Sequence, residues 1–215
     1  MIHATRHSGS TPRRRGLAML VVFLFGLVML TLADRWLFHA MRVEDRAWLE
    51  GRDWYQFLRT AGYLPTWLVV GAAIIAHDLT RRDPWPLRRG TLVMLAPVLG
   101  GGLAELLKVL VPRQRPINNG AADGDYVWGT PFEALRGVGN HGLASSHAAV
   151  AFAAAFMLAR LYPGAGMILV PLAAGCAVTR LLTGAHFATD VFVGAGAGYI
   201  AAALLAGLVR TPRRT

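Results

Sequence analysis

The sequence is poor in charged residues and contains only one cysteine and one lysine. Charged residues make up 16% of the 215 positions, against about 25% in a typical soluble domain. Hydrophobic residues supply 54%, and they are gathered in runs close to the ~20 residues that cross a bilayer. These properties argue against a soluble domain and predict a protein with several membrane spans.

The scarcity of cysteine excludes two further classes of structure. Cys176 lies inside an apolar run and has no second cysteine in the chain, which excludes an intramolecular disulfide and a cysteine metal site. The sequence contains no P-loop or dinucleotide-binding fingerprint. The net charge of +10 would suit nucleic acid, but the arginines lie in short segments between apolar runs. Arginines so placed act as topology signals, and we expect no nucleic-acid partner.

Six apolar runs predict an all-α fold of six transmembrane helices, forming one membrane domain over residues 17–209. The first run is too long for the apolar core of a signal peptide, and five more follow it. Short basic tails, residues 1–16 and 210–215, flank this domain. The predicted helices are Leu17–Phe38, Tyr63–Leu79, Thr91–Val111, Ser145–Leu161, Gly166–Leu182 and Phe187–Val209.

The distribution of arginine predicts the orientation. Six spans place both termini on one side, where the N-terminal tail and the segment 81–90 each carry four arginines. On the opposite side the basic residues are interleaved with acids. Because cytoplasmic segments are enriched in Lys and Arg, we expect both termini on the cytoplasmic side of a bacterial inner membrane. The segment 112–144 then faces the periplasm or the outside.

Two segments outside the spans have distinctive compositions. Residues 40–62 are amphipathic and aromatic, which predicts a helix lying in the membrane interface. It could serve as an anchor or as one lip of a lipid entry path. The segment 117–142 is glycine-rich and polar, and we expect it to fold over a site on the outer face.

The only lysine, Lys108, lies seven residues before Arg115. Pro112 interrupts the helix between them, so both cations can face one external pocket. Arginine offers a planar fork to phosphate oxygens and lysine a compact charge. Alternatively, Lys108 could snorkel to the headgroup region, and Glu105 one turn earlier could pair with it.

Two more polar clusters flank predicted helices. Ser145, Ser146 and His147 begin the fourth one, where hydroxyls can cap the helix and free amides favour an anion. A capping pair beside an interfacial histidine is the alternative.

His186 and Asp190 are four residues apart. An aspartate there can fix the imidazole tautomer and leave the other nitrogen as a nucleophile, although a structural His–Asp pair would also fit.

The segments 108–116, 144–147 and 179–190 together resemble the type 2 phosphatidic acid phosphatase (PAP2) family, in its integral membrane lipid phosphatase branch. This family shares its site with vanadium haloperoxidases and bacterial acid phosphatases. The motifs run from Lys108 to Asp190, and the six-run hydropathy extends the resemblance over nearly the whole chain. The resemblance implies a PAP2-like bundle that needs neither a metal nor another cofactor.

The resemblance also implies roles for individual residues. His186 would attack phosphorus to form a phosphohistidine, and Asp190 would orient it. His147 would protonate the leaving oxygen and then help to activate water. The phosphoryl oxygens would be bound by Lys108, Arg115, Arg180, Ser145 and the backbone amide of Ser146.

Two positions depart from the family pattern. Ser146 stands where the family's Pro-Ser-Gly-His motif has glycine, which raises the question of a backbone conformation that only glycine adopts. Thr179 replaces a usual serine and keeps a hydroxyl. We expect activity to survive both changes.

The expected function is hydrolysis of a lipid phosphate or lipid pyrophosphate at the outer or periplasmic face. Phosphatidic acid, phosphatidylglycerol phosphate, undecaprenyl pyrophosphate and a lipid A phosphate are all candidate substrates, and the sequence does not select among them. A lipid phosphotransferase using the same phosphohistidine is one alternative. A non-catalytic binder or transporter of anionic lipids is another. The sequence does not indicate an oligomeric state.

Overall fold

The computed structural model describes residues 12–137 and 140–207, and the regular elements in these ranges are helices. This confirms the predicted all-α class. The first eleven residues and the predicted tail 210–215 lie outside the described residues. The helices are α1 (Pro12–Met41), α2 (Arg46–Glu50), α3 (Asp53–Thr60), α4 (Leu64–Thr80), α5 (Pro86–Leu110), α6 (Pro131–Leu135), α7 (Ser146–Leu161), α8 (Gly166–Leu182) and α9 (Ala188–Ala206).

Each of the six predicted helices has a counterpart in the structure. They are α1, α4, α5, α7, α8 and α9, and α8 has the predicted bounds. Helix α5 begins at Pro86 rather than Thr91, because proline suits the first turn, where its missing N–H is not needed. The predicted end of the last helix, Val209, lies outside the described residues.

Three helices are long and apolar enough to cross a membrane: α1 from Gly16 onward, α5 and α9. Helices α3 and α4 pass the same test together, although they are bent by 64° at their junction. Helices α7 and α8 are apolar but have 16 and 17 residues, about 24–26 Å at a rise of about 1.5 Å per residue. The chain is therefore a membrane protein with several apolar helices. The six-span arrangement and its orientation stay predictions.

Helix α7 is the central helix, because it packs against α5, α8 and α9. Its contact with α9 is made backbone to backbone at two glycines. A Cβ at Gly198 would lie 2.6 Å from the Ala149 carbonyl oxygen, and one at Gly194 would lie 2.5 Å from the Ser145 carbonyl oxygen. Small residues that permit such close approach are typical of helix interfaces in membranes. The approach brings the Ser145 amide within 2.9 Å of the Asp190 carbonyl oxygen.

The segment 40–62 forms two short helices, α2 and α3, rather than the single helix that its amphipathic pattern predicts. The break falls at Gly51 and Arg52. Trp54 and Phe57 are exposed, whereas Tyr55 is fully buried and α3 packs against α8. Its location in the membrane interface stays a prediction.

The segment between α5 and α7 is held in place by backbone hydrogen bonds. The amide of Arg115 donates to the Asn140 carbonyl at 2.7 Å, and that of Gly142 donates to the Arg113 carbonyl at 2.8 Å. Two surface ion pairs join this segment to the end of α1: Arg35–Asp125 and Arg42–Asp123. The backbone hydrogen bonds, which are made by Arg113 and Arg115 themselves, hold the arginines that follow α5 in place.

The close approach of α7 and α9 predicts different effects for two glycine substitutions. Gly198→Ala should lower the thermal unfolding midpoint in detergent, because overpacking a tight contact costs about 1–3 kcal/mol. The matched control is Gly102→Ala in α5, where a Cβ meets nothing within 4 Å. That control should leave the midpoint unchanged or raise it. Equal shifts in the two variants would contradict the described packing.

Candidate active site

The centre of the site is the turn between α8 and α9, which carries His186. Its Nδ1 lies 3.5 Å from Asp190 Oδ2. The pairing arises from a helix cap rather than from a shared helix face, because α9 begins only at Ala188. Asp190 Oδ2 accepts a hydrogen bond from the Phe187 amide at 2.8 Å. With Nδ1 turned toward the carboxylate, Nε2 is the nitrogen on the opposite side of the ring.

His186 is 3% exposed, and this burial determines its charge. Burial lowers the pKa of His186 to about 4, although the adjacent Asp190 acts to raise it. The nearby charges of Arg115 and Arg180 lower the pKa further. At neutral pH the imidazole is therefore uncharged, which is the form that can act as a nucleophile.

The other oxygen of Asp190 binds Arg113, a residue that none of the motif assignments included. Arg113 Nη2 donates to Asp190 Oδ1 at 2.5 Å and to Thr189 Oγ1 at 2.5 Å. The guanidinium lies over the rings of both Tyr126 and Phe187, at 5.0 and 4.9 Å from their centroids. Arg113 is thus a buried counter-charge that fixes the carboxylate facing His186.

Asp34 of α1 completes this buried network. Its Oδ1 accepts from the Thr189 amide at 2.9 Å, its Oδ2 lies 3.5 Å from Arg113 Nη1, and the Thr189 hydroxyl donates to Oδ2. The Tyr126 hydroxyl also donates to Oδ2, at 2.9 Å. Burial, together with Asp34, raises the pKa of Tyr126 to about 12, so that the phenol stays a donor. Asp34 thus contacts Arg113 and Thr189, and Arg113 in turn binds the carboxylate that faces His186.

The start of α7 forms the second side of the site. Ser145 is fully buried and occupies the N-cap position, but its hydroxyl makes no capping hydrogen bond. The capping role that the sequence suggests is therefore not used, and this oxygen is free to bind a ligand. Amides in the first turn of a helix have no intrahelical acceptor, so those of Ser146 and His147 can bind an anion.

A cluster of three residues, Lys108, Ser146 and Glu105, links α5 to the same helix start. Its Nζ donates to Ser146 Oγ at 2.6 Å and to Glu105 Oε1 at 2.7 Å, and the Ser146 hydroxyl also donates to Glu105 Oε1 at 2.6 Å. Lys108 thus has the ion-pair partner that the sequence suggested, and its ammonium group also contacts α7.

The cluster also answers the question raised by the serine in the second motif. Ser146 lies in the first turn of α7 and has helical backbone geometry, which any residue can adopt. Its side chain is directed to Lys108 and Glu105. The glycine of the family pattern is therefore not required for the backbone conformation found here. The Thr179 hydroxyl donates to the Cys176 carbonyl within α8.

Arg115, Arg180 and His147 complete the site from three different elements. Arg115 comes from the segment after α5, Arg180 from the last turn of α8 and His147 from the first turn of α7. His147 lies within electrostatic reach of both arginines and of His186. All eight residues that the sequence suggested as site residues therefore lie around the α7 start and the α8–α9 turn.

Several buried polar atoms in this cluster have no hydrogen-bond partner among residues 12–137 and 140–207. Besides His186 Nδ1, which faces Asp190, they include Ser145 Oγ, His147 Nε2, and Nε and Nη1 of Arg180. Leaving a buried polar group unpaired costs about 1–3 kcal/mol, and such groups often mark functional sites. Their chemistry, two guanidinium N–H donors, a hydroxyl and an imidazole beside two further cations, fits a tetrahedral oxyanion such as phosphate.

Sequence reasoning missed Asp34, Arg113 and Tyr126. A signal was available for Asp34, because an acid inside a long apolar run usually has a buried functional partner. Arg113 lies within the first motif segment, but its contact with Asp190 depends on the path of an irregular loop. No comparable feature of the sequence indicated a role for Tyr126.

A model of the PAP2 superfamily matches residues 89–214 of the chain, which is more than half of its length. The matched range contains all three motif segments and all eight site residues that the sequence suggested. Searches among curated proteins and among solved structures gave no match.

The Asp34–Arg113–Asp190 network predicts a positioning effect on turnover. Asp34→Asn should lower kcat for phosphate-ester hydrolysis by about 10–100-fold with little change in KM, because small displacements of catalytic groups are costly. Kinetics should be compared with Asp125→Asn, which removes an exposed ion pair to Arg35 and should leave both constants unchanged. Tyr126→Phe, which removes the hydroxyl's bonds to Asp34 and to the Thr31 carbonyl but keeps the carboxylate of Asp34, should give a smaller loss of kcat. A loss confined to KM would contradict a positioning role.

Proposed function

Because this chain belongs to the PAP2 superfamily, we propose that it is a membrane phosphatase that hydrolyses a lipid phosphomonoester or a lipid pyrophosphate. Membership of this superfamily indicates phosphatase-type activity, and the apolar helices indicate a membrane protein. The observation that supports the finer proposal is the cluster of two histidines and three cations, in which His186 and Arg180 are buried. Its unpaired donors match the oxygens of a phosphoryl group.

In the proposed first step, His186 Nε2 attacks phosphorus. The N–P bond forms while the bond from phosphorus to the leaving lipid oxygen breaks, and His147 gives that oxygen a proton. Asp190 holds the Nδ1 side of the ring and stabilises the positive charge that the imidazole gains. The product is a phosphohistidine and a free leaving group.

In the second step, water attacks the phosphohistidine. His147 takes the proton of the attacking water, the N–P bond breaks, and inorganic phosphate leaves with His186 uncharged again. Lys108, Arg115 and Arg180 stabilise the charge on the phosphoryl oxygens in both steps. Fixed cations in a water-poor site are effective because they need no reorganisation during the reaction.

We place the reaction at the outer or periplasmic face of a bacterial cytoplasmic membrane. Support comes from the arginine density in the N-terminal tail and in the segment 81–90, which lies at the opposite end of α5 from Lys108. A site at the end of a membrane helix lets the lipid tail stay in the bilayer while its headgroup reaches the cations.

The central test is a phosphate-release screen of the purified protein over a panel of lipid phosphates and lipid pyrophosphates. We expect release that is insensitive to chelator and inhibited by vanadate. His186→Ala should lower it by at least about 10³-fold, because the nucleophile is lost. His77→Ala, an exposed histidine in α4, is the matched control and should retain full activity. Full turnover by His186→Ala would overturn the mechanism.

The same screen separates the two alternatives. Labelled phosphate that ends on a second lipid rather than on water would indicate a phosphotransferase. Lipid binding without turnover of any member of the panel would indicate a non-catalytic binder or transporter.

The Lys108 cluster predicts unequal effects for two of its three members. Lys108→Ala should lower kcat/KM by about 10–100-fold, because charged hydrogen bonds to the phosphoryl group are lost. Ser146→Gly should lower it by less than about 10-fold, because the backbone amide is kept and only a bond to Lys108 is removed. Steady-state kinetics on one lipid phosphate test both variants. The reverse order of effects would contradict the assignment of Lys108 to phosphate binding.

A further inference from the structure

The face of α3 that carries Tyr55 and Arg59 borders the active site, although it lies outside all three motifs. Tyr55 is fully buried, and α3 packs against α8, the helix that carries Arg180. The turn that follows α3 is in close contact with the catalytic histidine, since a Cβ at Gly62 would lie 2.7 Å from His147 Cδ2. Helix α3 and this turn therefore form the wall of the site beside His147.

Arg59 lies in this wall and adds a cation to Lys108, Arg115 and Arg180. Its guanidinium lies 5.3 Å from the centroid of the Tyr63 ring, and that ring meets His147 edge-on at 5.4 Å. The charge of Arg59 acts on both His147 and Arg180. Within the described parts of the chain, Arg59 forms no salt bridge with an acid.

Tyr55 and Arg59 also leave buried donors unpaired. The Tyr55 hydroxyl and Arg59 Nε make no hydrogen bond with any residue that the structure describes. The two residues are four positions apart on α3, so they share one face of the helix. Unpaired buried donors and the repulsion between Arg59 and Arg180 are both unfavourable. An anion bound between these side chains would relieve both.

We propose that Tyr55 and Arg59 form a second phosphate subsite, which makes a lipid diphosphate the substrate that the site fits best. This inference rests on the proposed function, in which His186 attacks the terminal phosphorus and His147 protonates the leaving oxygen. The leaving group then lies on the His147 side of the reacting phosphorus, next to Tyr55 and Arg59.

The charge of the leaving group is what selects the substrate class. A lipid monophosphate releases an uncharged alcohol, which needs no cation beside His147. A lipid diphosphate releases a lipid monophosphate, an anion that a guanidinium fork and a phenol hydroxyl can bind. As the bridging P–O bond breaks and the His186 N–P bond forms, the bridging oxygen stays with the lipid phosphate. The charge that develops on it ahead of proton transfer from His147 is shared with the oxygens held by Arg59, so these hydrogen bonds strengthen in the transition state.

The test compares two substrates that share one lipid tail. We would measure kcat/KM of the full-length protein in detergent micelles for geranylgeranyl diphosphate and geranylgeranyl monophosphate. The wild type should prefer the diphosphate. Arg59→Gln should lower kcat/KM for the diphosphate by about 10–100-fold, as expected for the loss of a charged hydrogen bond. For the monophosphate the loss should stay below about threefold.

The matched control is Arg52→Gln, an exposed arginine on the same segment that stacks on Trp48 at 4.1 Å. It should leave both substrates unaffected. Tyr55→Phe keeps the buried ring and removes only the hydroxyl, so it tests the subsite even if Arg59→Gln folds poorly. It should lower kcat/KM for the diphosphate alone.

The outcomes separate this inference from the function on which it rests. Equal losses on both substrates, or a wild type without preference for the diphosphate, would overturn the subsite and leave the phosphatase intact. Failure of the wild type to hydrolyse either substrate would contradict the proposed function and the subsite together.

Discussion

The carboxylate of Asp190 is the interaction on which the rest of the site depends. One oxygen caps the first turn of α9 and faces His186, while the other accepts a hydrogen bond from Arg113. The Asp190 carbonyl also accepts from the Ser145 amide, which ties the start of α7 to the same residue. A buried charge is tolerated only when it is paired and hydrogen-bonded, and Asp190 meets this condition with groups from three elements.

The packing of α7 against α9 determines which polar and charged groups of the site lie close together. The glycine contacts between α7 and α9 let the two helix starts meet, which brings the first turn of α7 next to the turn that carries His186. Lys108 enters from α5 and is held by Ser146 and Glu105. Cations of this kind repel one another in a low-dielectric interior, and a phosphoryl group is the ligand that offsets this repulsion. The same reasoning extends to Arg59 on the leaving-group side.

Much of this could be predicted from the sequence, because several contacts are local. The His186–Asp190 spacing predicts their pairing, and the serine pair before an apolar run predicts a helix start with free amides. Arg113 and Asp34 could not be paired with Asp190 in advance, because their contacts join α1, α9 and an irregular loop. The place of Arg59 beside the site could not be predicted for a related reason. A single amphipathic helix was expected over residues 40–62, whereas the break at Gly51 and Arg52 separates a distinct α3 whose Tyr55 and Arg59 line the site.

The central claim is that His186, held by Asp190, is the nucleophile. The most direct measurement is rapid acid-free quenching of turnover with a ³²P-labelled lipid phosphate, followed by mapping of the labelled residue by mass spectrometry. The account predicts an acid-labile, base-stable phosphoryl group on Nε2 of His186, with much less label in Asp190→Asn. Label on any other residue, or full turnover with no labelled enzyme at any time point, would contradict it.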